Sequence, residues 1–446
     1  MSKMSRRQFV SGATAITGAG ALAGVAGCRP GSENSAHSLP RFHPLDGVAR
    51  QNIKITDVKV IPLSYVDPNK NLWRSAQYVV WKTDGAITQV FTDAGIVGIG
   101  EGTPYEGPDY IKDYTEKEIK PLLVGRNPFD VELYTNRGDD SRRNRAPWAG
   151  LDCALWDVIG KATGKPVYEL LATHNEPRKR IPIYASSGVE HEWYDDGEAF
   201  LINQALQHKA DGYDCMKIRK GTDWSASGMT LEKYIDVLRN LREAVGPDFR
   251  LCQEAMGKTD TPFEQIISEL CPVLEELGFY WFEEAPGGTM IEDIDWFIKL
   301  QEALPTVMVT GGERFRTRFE TQVWLDRGAL DVVQSDCNVT GITENWYISQ
   351  MAHQRGIMSI PHSWHGGGTT MANAHFTAGI PNGEYCELNM TYNPLKEGIF
   401  KEPLTVKNGW MELPDKPGYG VELIDDVEKA FPFVPGSYLM ENPKLA

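Results

Sequence analysis

Basic charge is short in this chain: 45 Lys and Arg stand against 61 Asp and Glu, a formal net charge of -16 at pH 7. A nucleic-acid partner requires a basic face for its phosphates, so none is expected. Paired cysteines are lacking as well. Apart from Cys28, the six at 153, 215, 252, 271, 337 and 386 show no C-x-x-C spacing, and buried thiols are expected in place of a disulfide framework. No glycine loop of the Walker or Rossmann kind is evident, and Gly366-Gly367-Gly368 lacks a following Lys. What is there is the composition of a folded protein, 41% hydrophobic, 10% aromatic and 24% charged over 446 residues, enough for two or three domains.

The N-terminus differs from the rest. Ser5-Arg6-Arg7-Gln8-Phe9-Val10 precede a charge-free run of mostly small residues from Ala13 to Ala26. That run is too short and too rich in Gly and Ala to span a membrane stably, and a paired Arg before Phe has the layout of a twin-arginine export signal. Val25-Ala26-Gly27-Cys28 is similar to a lipobox, which makes Cys28 a candidate for lipidation. The expected location is periplasmic, with membrane attachment only through that lipid. Residues 1–27 read as a signal peptide, and residues 28–50 as a tether without structure of its own. Cleavage before Cys28 removes Lys3, Arg6 and Arg7 and no acid, leaving 419 residues at -19.

From Ile53 the alternation Ile53, Ile55, Val58, Val60 predicts a strand. Ile87 to Thr92 and Ile96 to Ile99 flank Asp93-Ala94-Gly95, which is hairpin chemistry. Leu151, Ala154, Leu155, Val158 and Ile159 then fall at helical spacing, ended by Gly164 and Pro166. Sheet followed by helices predicts an α+β domain. Beyond about residue 180, short apolar runs alternate with amphipathic helices such as Leu231, Tyr234, Ile235, Leu238, Leu241 and Val245, stopped by Gly246-Pro247. Strict alternation of this kind predicts a parallel sheet.

Each strand-like run ends at an ionisable residue: Lys217, Glu254, Glu283, Glu313, Asp336, His362 and Glu387. The gaps of 37, 29, 30, 23, 26 and 25 residues are about one βα unit each, and a closed barrel brings every strand C-terminus to one face. Glu254, Glu283 and Glu313 would repel there and raise one another's pKa values. A hard divalent cation resolves the repulsion, and three oxygen ligands with open positions suit Mg2+.

From about Ile53 onward the chain resembles the enolase superfamily, specifically its mandelate racemase-like acid-sugar dehydratases. The resemblance rests on Thr92-Asp93-Ala94-Gly95-Ile96-Val97-Gly98-Ile99-Gly100-Glu101, Ala154-Leu155-Trp156-Asp157, Lys217-Ile218-Arg219, Phe282-Glu283-Glu284, Gly311-Gly312-Glu313, Asp336, Pro361-His362-Ser363 and Pro417-Gly418-Tyr419-Gly420-Val421-Glu422. It implies an α/β fold, a modified TIM barrel (β/α)7β over residues 179–395. An N-terminal α+β capping domain would span 51–178, with a C-terminal segment, 396–446, returning to the cap. It also implies Mg2+ on Glu254, Glu283 and Glu313. His362 would be the base that removes an α-proton, oriented by Asp336, and Glu387 would stand near the substrate carboxylate. His365 is a rival to His362 and a candidate substrate contact. Trp73, in the segment that would cover the barrel mouth, is another.

Two departures from the family pattern matter. The second barrel strand reads Lys217-Ile218-Arg219 where the family has Lys-x-Lys, and Arg does not readily give up its proton. A racemase needs bases on both faces of the carbon, so Arg219 favours one-base dehydration, with Lys217 and Arg219 polarising the substrate carboxylate. The first ligand strand ends Gln253-Glu254-Ala255-Met256 in place of Asp-x-Asn, a ligand one methylene longer. The expected function is dehydration of an aldonate, aldarate or uronate to a 2-keto-3-deoxy acid; the alternatives are a cycloisomerase or epimerase, or a non-catalytic sugar-acid binding protein. A homo-oligomer is expected. The basic run Arg142-Arg143-Asn144-Arg145 is expected to be a solvated surface, because Asp139 and Asp140 adjoin it.

Overall fold

A computed structural model describes residues 42–68, 72–74, 78–135, 141–188, 197–219, 228–254, 261–285 and 288–441. The export signal and Cys28 lie outside the described residues. An antiparallel sheet opens the structure, in the order β1 (Ile55–Val66), β2 (Lys82–Thr92), β3 (Val97–Glu101), with Val58 opposite Val90 and Gln89 opposite Ile99. The turn at Asp93-Ala94-Gly95 has Gly95 at φ 73°, left-handed as the hairpin requires. β2 begins at Lys82, earlier than the apolar alternation predicts. Its first residues are polar yet buried, because Lys82 Nζ lies 2.9 Å from Asp84 and both are shielded from water. Burial paid with an ion pair leaves no apolar trace in the sequence.

Helix α1 (Arg142–Thr163) packs on β3. The Ser141 side chain caps its start by accepting from the Asn144 N–H, and Gly164 ends it at φ 69°. The contact is backbone on backbone. A Cβ placed on Gly98 would stand 2.2 Å from Ala154 O, on Gly100 2.3 Å from Gly150 O, and on Gly102 2.3 Å from Ala146 O, so alternate positions of this strand admit only glycine. Asp157 ties three parts together. One oxygen accepts from Ile99 N (2.9 Å), the other from Tyr419 N (2.8 Å), and Lys161 pairs with it at 2.7 Å.

The basic run at the start of α1 departs from expectation. Arg145 is only 2% exposed and donates to Thr340 O, and Arg143 stacks over the Tyr110 ring at 3.8 Å. The run is the first turn of a helix wedged against the barrel, so its third Arg points inward.

Eight parallel strands follow: β4 (Arg180–Ser187), β5 (Cys215–Arg219), β6 (Arg250–Glu254), β7 (Trp281–Glu283), β8 (Met308–Gly311), β9 (Val332–Val333), β10 (Met358–Ser359) and β11 (Cys386–Asn389). The ladder runs unbroken from β10 back to β4, and β11 joins β4 on its other side. Ser359 N to Asn382 O, 3.1 Å, links the two ends. A helical segment lies between each consecutive pair, which makes a (β/α)7β barrel. Leu231–Val245 shows the rule: its six periodic residues are buried, Thr230 caps it, and Gly246 ends it.

Tyr184, Cys215, Cys252, Trp281, Val332, Ile360 and Tyr385 fill the barrel interior beneath the strand ends. The six described cysteines are buried free thiols, with the sulfurs of Cys215 and Cys252 3.5 Å apart. Among the described residues no helix is long and apolar enough to cross a membrane.

Candidate active site and metal centre

The strand register brings the carboxylates together. Arg219 faces Glu254 across β5 and β6, Glu254 faces Glu283 across β6 and β7, and Glu313 follows two residues after β8. Ligand oxygens of Glu254, Glu283 and Glu313 all lie within 4.8 Å of one another, with Glu254 and Glu283 buried and Glu313 partly so. Chain direction just beyond β7 is set by Glu284. It adopts φ 43°, a left-handed conformation that a residue with a Cβ rarely takes. The Gly312 N–H, donating to Glu284 at 3.1 Å, holds it there.

Lys217 is the local counter-charge. Its ammonium lies 2.7 Å from Glu283, 2.9 Å from Glu387 and 3.3 Å from Glu254, and the Arg219 guanidinium pairs with Glu254. Burial alone would drive the Lys217 ammonium to deprotonate, but the three carboxylates outweigh it and raise its pKa well above the usual value. Compensation is uneven: although burial works against ionisation, Arg219 and Lys217 lower Glu254, and His362 and Arg314 lower Glu313, but Glu283 stays raised. Burial and the neighbouring Glu254 and Glu387 push Glu283 up to about 7 in spite of Lys217. The donor set is all oxygen and anionic, with ligand atoms close enough to share one ion, which fits a small hard cation such as Mg2+ held by Glu254, Glu283 and Glu313.

His362 stands beside this group. Its Nδ1 lies 2.8 Å from Asp336 Oδ2, and its Nε2 points to Glu313 at 3.5 Å. Asp336 is itself fixed by Asn338 N (3.0 Å) and Asn373 Nδ2 (2.8 Å) on its other oxygen, and Asn373 also donates to His362 O. The carboxylate thus fixes the ring so that Nδ1 carries the hydrogen and Nε2 faces the centre. Burial lowers the imidazole pKa, but the fields of Glu313, Glu387 and Asp336 reverse this and lift it to about 10; a cation held by Glu313 would offset part of that field and favour the neutral ring that a base requires. Glu387 accepts from Ser363 N at 2.7 Å; although burial works against ionisation, Lys217 and His362 hold its carboxyl at about 2.

The other expected residues sit apart. His365 Nε2 meets Thr103 Oγ1 at 3.2 Å and its ring packs on Tyr105, 4.2 Å between centroids; its ring centre is 6.3 Å from that of His362. The two imidazoles, three residues apart, therefore serve different walls. The backbone of Trp73 pairs with Val80 in a short strand, and its side chain lies outside the described set, as do Ala255 and Met256. Three residues that sequence reasoning did not single out support the candidate ligands and the His362 pair. Gln334 Nε2 (2.7 Å) and Trp281 Nε1 (3.1 Å) donate to Glu283, and Asn373 anchors the Asp336–His362 pair. Gln334 and Trp281 lie within the strand-end segments, where a closer look at polar residues near the ligands finds them. Asn373 is mid-helix and carries no local signal.

Over residues 201–427 the chain matches the family model for an enolase C-terminal domain-like domain, and over 63–172 that for the mandelate racemase / muconate lactonizing enzyme N-terminal domain. An arabinonate dehydratase of Saccharolobus solfataricus is 31% identical over 353 residues, covering 76% of this chain and 88% of the relative. A D-galactarolactone cycloisomerase of Agrobacterium fabrum is 29% identical, covering 77% and 90%. Among solved structures, a member of the enolase superfamily from Polaromonas sp. JS666 superposes with a TM-score of 0.73 at 30% identity, covering 86% of this chain and 98% of the other.

Proposed function

The chain belongs to the mandelate racemase / muconate lactonizing enzyme branch of the enolase superfamily, and within it we propose a Mg2+-dependent dehydratase that converts a polyhydroxy carboxylic acid to its 2-keto-3-deoxy acid. Relatives named as dehydratases of arabinonate, L-rhamnonate and D-xylonate support the hydro-lyase class. The observation that carries the choice of reaction is Arg219. Its guanidinium is committed to Glu254 and stays protonated, and Lys217 is held charged among three carboxylates. One base, His362, faces the centre among the described residues, and one base suits elimination better than proton transfer between two faces.

In this reaction Nε2 of His362 takes the α-proton, and the bond electrons move into the carboxylate as an enolate. The same imidazolium, held by Asp336, returns its proton to the β-hydroxyl as the C–O bond breaks, so water leaves and an enol remains. That enol ketonises by taking a proton at the adjacent carbon. Lys217 and Arg219 add positive charge at the carboxylate end. Mg2+, when bound, supplies the charge that offsets the second negative charge developing on the substrate carboxylate.

Ketoacid formation over a panel of aldonates, aldarates and uronates tests the reading. No product from any of them would sink it. The second reading, cycloisomerisation, is favoured by the Agrobacterium relative; solvent deuterium entering the α-position with no loss of hydroxide would select it. Export rests on Arg6-Arg7 and the run to Ala26, and cell fractionation of the full chain against an Arg6→Lys, Arg7→Lys variant tests it.

A further inference from the structure

The last described stretch of the chain lies against the barrel mouth. Leu439–Glu441 pairs antiparallel with Tyr78–Val80, which pairs in turn with Trp73–Arg74, so that a cap hairpin and the tail form one small sheet. Trp81 adds two bonds, its backbone N–H to Tyr438 O (3.2 Å) and its indole N–H to Ser437 O (2.9 Å).

A buried clasp fixes the tail upstream. Val434 donates its N–H to Ser64 Oγ (3.1 Å) and accepts from Lys82 Nζ (2.5 Å). Ser64 and Lys82 are both held by the buried Asp84, at 2.6 and 2.9 Å. A fully buried ammonium paired with one carboxylate and aimed at a main-chain carbonyl is costly to place, and removing the tail would leave it under-solvated. The attachment is therefore stronger than a surface strand pairing.

The tail then meets the site. Tyr438 and Leu439 pack in one cluster with cap residue Val80 and barrel residue Trp364. Trp364 is two residues past His362, and Arg219 lies over its ring at 5.4 Å. A pocket opens between tail, cap and barrel, walled by Tyr105, His365, Asn393, Trp364 and Tyr438, with the Lys82–Asp84 pair also in its lining. Aromatic faces alternating with amide and imidazole groups suit the C–H and O–H faces of a polyhydroxylated carbon chain.

We infer that the C-terminal tail is a specificity element: it fastens the cap hairpin over the mouth and places Tyr438 against the hydroxylated end of the substrate remote from its carboxylate. This rests on the sugar-acid reading above and adds that long acids are distinguished from short ones by a wall to which Tyr438 contributes. Tyr438 touches no reacting atom; it contacts the far end of the substrate.

The test compares kcat/KM of the Mg2+-supplemented full chain for a six-carbon and a four-carbon polyhydroxy acid. In Tyr438→Ala the ratio of the two is expected to fall about tenfold or more, with Met440→Ala, on the exposed side of the tail, leaving the ratio as in the unaltered chain. An equal fall for both acids, or no change in the ratio, overturns the inference. Should Tyr438→Ala not fold, limited proteolysis of the unaltered chain decides. Cleavage after residue 432 is expected to slow with the six-carbon acid and not with the four-carbon one, and equal cleavage overturns it. Titration of each acid into the same protein runs alongside: no turnover of any acid removes the dehydratase reading, whereas an unchanged ratio of affinities in Tyr438→Ala removes this one.

Discussion

Asp336 holds His362 from behind, with 2.8 Å between its Oδ2 and the imidazole Nδ1, while the opposite nitrogen faces Glu313 at 3.5 Å. Replacing the base, His362→Asn, is expected to abolish both turnover and α-proton exchange. Asp336→Asn keeps the shape but loses control of the tautomer, and kcat is expected to drop by roughly 10^2 or more with a smaller change in KM. Steady-state kinetics and deuterium exchange followed by NMR check both. Wild-type exchange in His362→Asn would assign the base elsewhere.

Chelation by EDTA is expected to stop turnover and Mg2+ to restore it. Glu313→Gln removes one of three anionic ligands and should weaken Mg2+ binding about tenfold or more, as read by calorimetric titration. Lys217→Met leaves Glu254, Glu283 and Glu387 buried without their shared cation. Breaking a buried network of this kind costs about 3–5 kcal/mol, so the metal-free variant should melt well below the unaltered protein, and Mg2+ should recover part of the loss. A Tm unchanged without metal would mean that Lys217 is not the counter-ion.

The seam between β3 and α1 predicts a stability effect far from the site. Gly100→Ala puts a methyl 2.3 Å from Gly150 O and 2.5 Å from Ala154 N, contacts with backbone that cannot rotate away. A loss of about 2–3 kcal/mol is expected in urea unfolding. Gly95→Ala, in open space at φ 73°, should cost only about 1 kcal/mol.

Acid stability depends on His375. Burial lowers its pKa to about 3, and the ring is held in place by Tyr168 N–H on Nδ1 and Tyr419 O at Nε2. An unfolded histidine takes a proton near pH 6.5, which the folded one refuses. The unfolded state therefore gains protons, and stability falls, as pH drops from about 6.5 toward 3. The total is on the order of 4 kcal/mol. In a variant that still folds, His375→Gln should flatten that part of the stability curve, and an unchanged slope would assign it to other groups such as His208, which burial lowers to about 4.

The sequence makes the catalytic face legible because a βα unit has nearly constant length. Residues at strand ends recur at readable intervals, and Glu254, Glu283, Glu313, Asp336 and His362 meet where the spacing puts them. Side chains that depend on direction within a loop are not readable in this way. His362 and His365 are three residues apart with like surroundings in sequence, and only the fold turns one to Glu313 and the other to Thr103. Charge is misleading for a related reason: Arg145 and Lys82 look like surface residues until their partners, Thr340 O and Asp84, arrive from elsewhere. Asn373 holds Asp336 from the middle of an apolar helix, where neither spacing nor composition marks it.

Asp157 imposes an order on synthesis. Its two oxygens are claimed by Ile99, 58 positions earlier, and by Tyr419, 262 positions later. While the chain is being made, the first bond can form early, but the second must wait for Tyr419, which follows every strand of the barrel. The cap begins first and finishes last. A fragment ending before Tyr419 holds the barrel strands complete beneath a cap whose Asp157 still lacks its second backbone partner.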